Sequence, residues 1–164
     1  MIWVKVAISQ YNNLTFRTAL LFSFFVMLRK SNAMPDSIHK FDANKQLVRG
    51  DVTVGQNMLL VTLKWSKTIQ SGGREHTVPL VSIQDSPICP VTAYHEMCRL
   101  VPGKNTDPLF RILVHGQWVP MTYNWYTKQL RMLLTQIGRN PHAFSSHSAR
   151  RGGATYLSEC GVSR

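Results

Sequence analysis

One segment constrains the fold more than any other. From Asn13 to Leu28 the chain is apolar nearly all round a helix, and it then turns abruptly basic and polar at Arg29-Lys30-Ser31-Asn32. An amphipathic stripe suits a surface helix, whereas a helix that is apolar on every side belongs in the middle of a domain. The run is too short for a bilayer span and begins too far inside the chain for a signal peptide. A central helix over 11–33 is therefore expected, with Asn13 as its cap and Pro35 as its stop. Such a helix carries a basic cluster out of the core at one defined place.

The rest of the pattern is mixed. Short β-branched or alternating runs at 51–54, 58–65 and 76–80 predict strands. Ser71-Gly72-Gly73 between the last two predicts a hairpin turn, with Lys64 and Lys67 on or beside its tip. Helices are expected again at 91–100, opened by Pro90, and from Thr122 through Ile137, closed by Gly138. A last helix is expected at 147–159, capped by Ser145 or Ser146 and followed by Gly161. The order predicts an α+β domain, mostly helical with a small antiparallel β-sheet, as a single unit over 1–164.

Charge limits the partner. A net charge of +11 over 164 residues points to a polyanion. The cations are dispersed rather than gathered in a tail, so folding has to assemble the surface. Cys89, Cys98 and Cys160 are too few for a disulfide framework and suit a reducing, intracellular compartment. Cys89, His95 and Cys98 have irregular spacing and lack a further ligand pair, so no metal site or other cofactor is expected. No membrane partner is expected either.

The segment richest in chemistry is Ser146-His147-Ser148-Ala149-Arg150-Arg151-Gly152-Gly153-Ala154-Thr155. His147 and Arg150 share one face of a helix's first turn, where free N–H groups and the positive dipole end favour phosphate. A guanidinium matches two phosphate oxygens at once. Each glycine inside a helix costs about 0.5–1 kcal/mol, so Gly152 and Gly153 imply close approach of another backbone or of the substrate.

This segment resembles the H-x-x-R box of tyrosine recombinases, the phage-integrase-type enzymes that exchange DNA strands. It is especially similar to the box of eukaryotic Crypton and DIRS-type mobile elements. Leu28 to Pro35 resembles that family's first box, with Asn32 where many prokaryotic relatives have Glu or Asp. Lys64-Trp65-Ser66-Lys67-Thr68, followed by Val78-Pro79-Leu80, resembles its β-hairpin lysine region. Cys89-Pro90-Val91 and Pro108-Leu109-Phe110 match intervening features in order, so the resemblance covers about residues 14–164.

The resemblance implies metal-free transesterification on duplex DNA through a 3′-phosphotyrosine. Arg29 and Arg150 would clamp the non-bridging oxygens, Lys67 would protonate the leaving 5′-oxygen, and His147 would assist proton transfer. Lys64 competes with Lys67 for its role, Lys67 being preferred. Lys30, Lys64, Arg74 and Arg151 would add DNA contacts, with little sequence preference and strong salt dependence. Assembly of several copies on DNA, and a nuclear location in a eukaryotic host, go with this expectation. The family's nucleophilic tyrosine and a His or Trp box before it would lie beyond Arg164, and its N-terminal core-binding domain is not represented. None of Tyr123, Tyr126 and Tyr156 matches the nucleophile's motif, so these 164 residues are expected to form no covalent DNA adduct alone. The alternatives are a noncatalytic DNA-binding module derived from a mobile element and, ranked below it, an RNA-binding protein.

Overall fold

The computed structural model describes residues 2–64 and 76–161, with side chains from Gln10 onward. It is an α+β fold of helices around two small antiparallel sheets. Helix α1 (Ile2–Phe25) is central. Its Thr15, Thr18, Ala19, Phe22 and Ser23 form one fully buried stripe, and Leu14, Phe16, Leu20 and Phe25 on its other sides are partly buried against the core rather than enclosed in it. Its buried hydroxyls are used: Thr15 donates to the Arg111 carbonyl at 2.7 Å, and Thr18 lies 3.0 Å from the Ala93 carbonyl. Phe22 stacks on Tyr94 at 6.0 Å and meets Phe110 edge-on at 5.8 Å.

The ends of this helix differ from the sequence expectation. It begins by Ile2, so Asn13 lies inside it and caps nothing. It stops at Phe25, well before Pro35. Met27 adopts a left-handed φ of 53°, Arg29 is extended, and a four-residue helix α2 (Lys30–Ala33) follows. Val26 and Leu28 are nevertheless buried. The apolar run thus fills the core to its end, but the backbone leaves the helix early.

Strands β1 (Val52–Gly55), β2 (Met58–Leu63) and β3 (His76–Val81) form an antiparallel meander in the order β1-β2-β3. The β2–β3 register closes at Leu63↔His76. The segment that joins them, where the hairpin turn was expected with Lys67 and Arg74, lies outside the described residues. Helix α3 (Pro90–Leu100) has Pro90 in its first turn and the Cys89 sulfur as its cap, accepting from the Thr92 N–H. It is pinned to α1 by the Arg17–Glu96 ion pair at 2.7 Å.

A second hairpin, β4 (Arg111–Val114) and β5 (Gln117–Pro120), was not expected. Its two-residue turn has φ of 48° at His115 and 80° at Gly116, the left-handed pair that a tight hairpin needs. Asn12 of α1 brackets Leu113 of β4, accepting from its N–H at 2.7 Å and donating to its carbonyl at 3.1 Å. Helix α4 (Tyr123–Gln136) follows the Thr122 cap, and α5 (Ser146–Glu159) follows the Ser145 cap. Among the described residues no helix is long and apolar enough to cross a membrane.

Candidate functional site

The site lies where α5 packs across the end of α1. Gly153 makes this approach possible. A Cβ there would overlap the Phe24 carbonyl oxygen and lie 2.9 Å from its carbonyl carbon, whereas a Cβ on Gly152 would meet only the Phe24 ring at 3.4 Å. The expected close backbone approach therefore falls on Gly153, and its partner is α1.

That packing puts α5's first turns beside the segment leaving α1. Arg150 Nη1 donates to the Met27 carbonyl at 3.0 Å. Burial, and then the positive charge of Arg29, pull the Arg150 guanidinium below the usual arginine range. The two guanidiniums are thus electrostatic neighbours although their residues are far apart in sequence. Neither makes an ion pair among the described residues. Arg29 Nη1 is buried with no hydrogen-bond partner there, which is costly for a charged donor. An oxyanion between these groups would satisfy the donor and offset the repulsion.

Arg29 is not a charge at the end of a long helix, as expected. It is the extended residue before α2, and its carbonyl accepts from the N–H groups of Asn32 and Ala33 at 2.9 and 3.2 Å. The α2 segment is itself anchored, because the Asn32 carbonyl accepts from the Leu47 N–H at 2.8 Å and the Ser31 carbonyl from Gln46 Nε2 at 2.9 Å. Backbone bonds of this kind place a guanidinium more firmly than a fraying helix end would.

Around the pair, the Ser145 hydroxyl caps α5 by accepting from the His147 N–H at 3.3 Å, and Ser148 Oγ accepts from the Ser145 N–H at 3.0 Å. His147 and Arg151 are exposed on that helix. Lys30 lies 2.7 Å from Asp36 and 4.1 Å above the Tyr123 ring. The Tyr123 hydroxyl is 3.3 Å from Ser146 Oγ at the start of α5. The hydrogen bond and the charge of Lys30 hold the Asp36 carboxyl below its ordinary value of 3.8.

Lys64 has a different setting. Its ammonium pairs at 2.6 Å with Asp51, whose carboxylate is buried and also accepts from the Val48 N–H at 2.9 Å. This lysine tethers the end of β2 to the chain before β1. Lys67 and Arg74 fall outside the described residues.

The tyrosines sort by burial. Tyr126 is buried at 1% exposure, and burial pushes its hydroxyl up to about 12. Tyr156 touches the Phe24 ring at 5.9 Å but is 49% exposed. Tyr123 is only half-buried and forms a platform for Lys30. Sequence reasoning missed that role and missed Asp36. Among the described residues no three His, Cys, Asp or Glu side chains gather where they could hold a metal ion. No protein-family model matches this chain, and no match is found among the curated proteins or the solved structures.

Proposed function

We propose that this chain carries the phosphate-gripping part of a DNA strand-exchange domain of tyrosine-recombinase type and binds duplex DNA through its backbone. One observation carries the proposal. Arg150 bonds the carbonyl of Met27, two residues before Arg29, neither arginine has a carboxylate partner among the described residues, and a donor of Arg29 is buried and unused. A pair of guanidiniums is suited to two non-bridging oxygens of one phosphodiester, in the ground state and more so as charge grows on a phosphorane. His147, three residues before Arg150 on the same helix, is the group for proton transfer and phosphate positioning. Lys67 is the residue for protonating the leaving 5′-oxygen. Lys30 and Arg151 extend the contact to neighbouring phosphates.

The test is a titration of folded protein with a duplex of mixed sequence at two salt concentrations. Three contacted phosphates, one shared by Arg29 and Arg150 and one each for Lys30 and Arg151, imply a log–log salt slope of about −2.7, so affinity falls about 40-fold between roughly 50 and 200 mM salt. Binding that ignores salt, or no binding by folded protein, refutes the proposal. Stronger binding to structured RNA than to duplex DNA in competition also refutes it.

A further inference from the structure

We infer that Gln46 is a positioning residue for Arg29: it ties α2 to the turn at residues 42–46 and so sets where the guanidinium stands. This rests on the DNA-binding reading above and adds to it a residue that acts on the phosphate only through another side chain.

The first observation is how Gln46 is buried. It is 8% exposed, and burying an amide is costly unless its polar ends are used. Both ends are used here. Oε1 accepts from the Asp42 N–H at 2.8 Å, and Nε2 donates to the Ser31 carbonyl at 2.9 Å. One partner is a backbone donor and the other a backbone acceptor. Only a side chain with an acceptor and a donor at the same tip serves both, which glutamine has and Glu, Lys or Met lacks.

The second observation is what stands behind the turn. The Lys45 and Gln46 N–H groups close it on the Asp42 carbonyl at 2.9 and 2.8 Å. The next residue, Leu47, is buried, and its carbonyl accepts from the Leu109 N–H at 2.9 Å. Val48 then bridges Pro108. The turn is therefore fixed to the core on one side. On the other it bonds two consecutive carbonyls of α2, Ser31 through the Gln46 side chain and Asn32 through the Leu47 N–H.

The third observation is how little else holds α2. It has four residues and no side-chain cap at Arg29, and so short a helix does not hold itself. Arg29 immediately precedes it and shares its hydrogen bonds, so a displaced α2 displaces Arg29. Arg29 Nη1 has no hydrogen-bond partner among the described residues to oppose that shift. Arg150 is steadied separately, by the Met27 carbonyl. Loss of the Gln46 bridge is therefore felt at Arg29 and not at the cations of α5.

The experiment is a pair of double-mutant cycles read by affinity for a duplex of mixed sequence. Gln46→Met, close in size but without either hydrogen bond, is combined with Arg29→Ala in one cycle and with Arg151→Ala in the other. Alone, Gln46→Met is expected to weaken binding about five- to tenfold, with a nearly unchanged salt slope because no charge is removed. That loss is expected to shrink below about twofold in the Arg29→Ala background and to persist in full in the Arg151→Ala background. Thr15→Val, which removes a buried hydroxyl bond between α1 and β4, controls for lost stability and is expected to lower Tm while the folded protein binds as wild type. Melts check that each variant is folded. Gln46→Asn, a methylene too short to span both partners, takes the place of Gln46→Met if that variant does not fold. Wild-type affinity in the folded Gln46 variant, or the same loss in both arginine backgrounds, overturns the inference and leaves the paired-arginine reading standing. No binding by the wild type, or wild-type affinity in Arg29→Ala, overturns both.

Discussion

Replacing Gly153 by alanine tests how the site is built, and Gly152 beside it is the control. Both are helical, so a Cβ at either removes the conformational cost of glycine and contributes about 0.5–1 kcal/mol of stability. They differ in what the Cβ meets. At Gly152 it finds the edge of the Phe24 ring at 3.4 Å, an ordinary contact that a side chain can accommodate. At Gly153 it runs into the Phe24 carbonyl, which is backbone and cannot rotate away. Helix α5 then has to lift off α1, and overpacking of that kind costs about 3 kcal/mol at the upper end of its usual range. Net destabilisation of Gly153→Ala is about 2 kcal/mol, or about 4–8 °C in Tm for a domain of this size. Gly152→Ala is expected to be neutral or more stable by up to about 1 kcal/mol. Urea denaturation followed by circular dichroism measures both. Because Arg150 is on the helix that lifts, Gly153→Ala is also expected to weaken DNA binding. If Gly153→Ala is as stable as Gly152→Ala, the close α1–α5 approach is wrong and the arginine pairing goes with it.

Three further outcomes follow from the same geometry. Iodoacetamide is expected to label the exposed Cys160 first and the half-buried Cys98 more slowly, and to reach the buried Cys89 only when the chain unfolds; mass spectrometry of a time course reads the order, and early labelling of Cys89 would contradict the packing of α3. Asp51→Asn is expected to cost about 2 kcal/mol in a urea titration, the value of hydrogen bonds to a charged group, since Lys64 is 37% exposed and regains water when its partner is lost. Asp36, lowered chiefly by Lys30, is expected to titrate below 3.8 by carboxyl carbon NMR. Its pairing is then fully present above that value and lost as pH falls through the lower one, and the shift disappears in Lys30→Ala.

Much of this fold is visible in the residues, and the parts that are not have physical reasons. Pro90, Thr122 and Ser145 mark helix starts because capping is local chemistry, and all three mark starts in the structure. The β1–β2–β3 meander follows from alternation and β-branching within short windows. The β4–β5 hairpin was missed because each strand has only four residues and β5 ends on a proline. The His115-Gly116 step was its legible signal. The early end of α1 has no local marker, since neither glycine nor proline interrupts the run from Phe22 to Leu28. A left-handed Met27 costs on the order of 1 kcal/mol or more, and contacts remote in sequence hold it, Arg150 bonding its carbonyl. For the site, the motif residues near α5's first turn were recognisable. That Arg29 is positioned by α2 and its anchors rather than by α1 depends on bonds to residues 46 and 47, which no periodicity in 11–33 encodes.

The central claim is that Arg29 and Arg150 grip one phosphate together, and lysine exchange tests it most directly. Duplex affinity and its salt slope would be measured for the wild type, Arg29→Lys, Arg150→Lys and the double variant, with melts to check folding. Lysine keeps the charge but loses the planar fork that matches two oxygens. The account predicts that each single exchange lowers affinity about tenfold with the slope nearly unchanged, and that the double exchange costs clearly less or more than the sum, because both side chains act on one group. Wild-type affinity in both single variants, or strict additivity in the double, would contradict it.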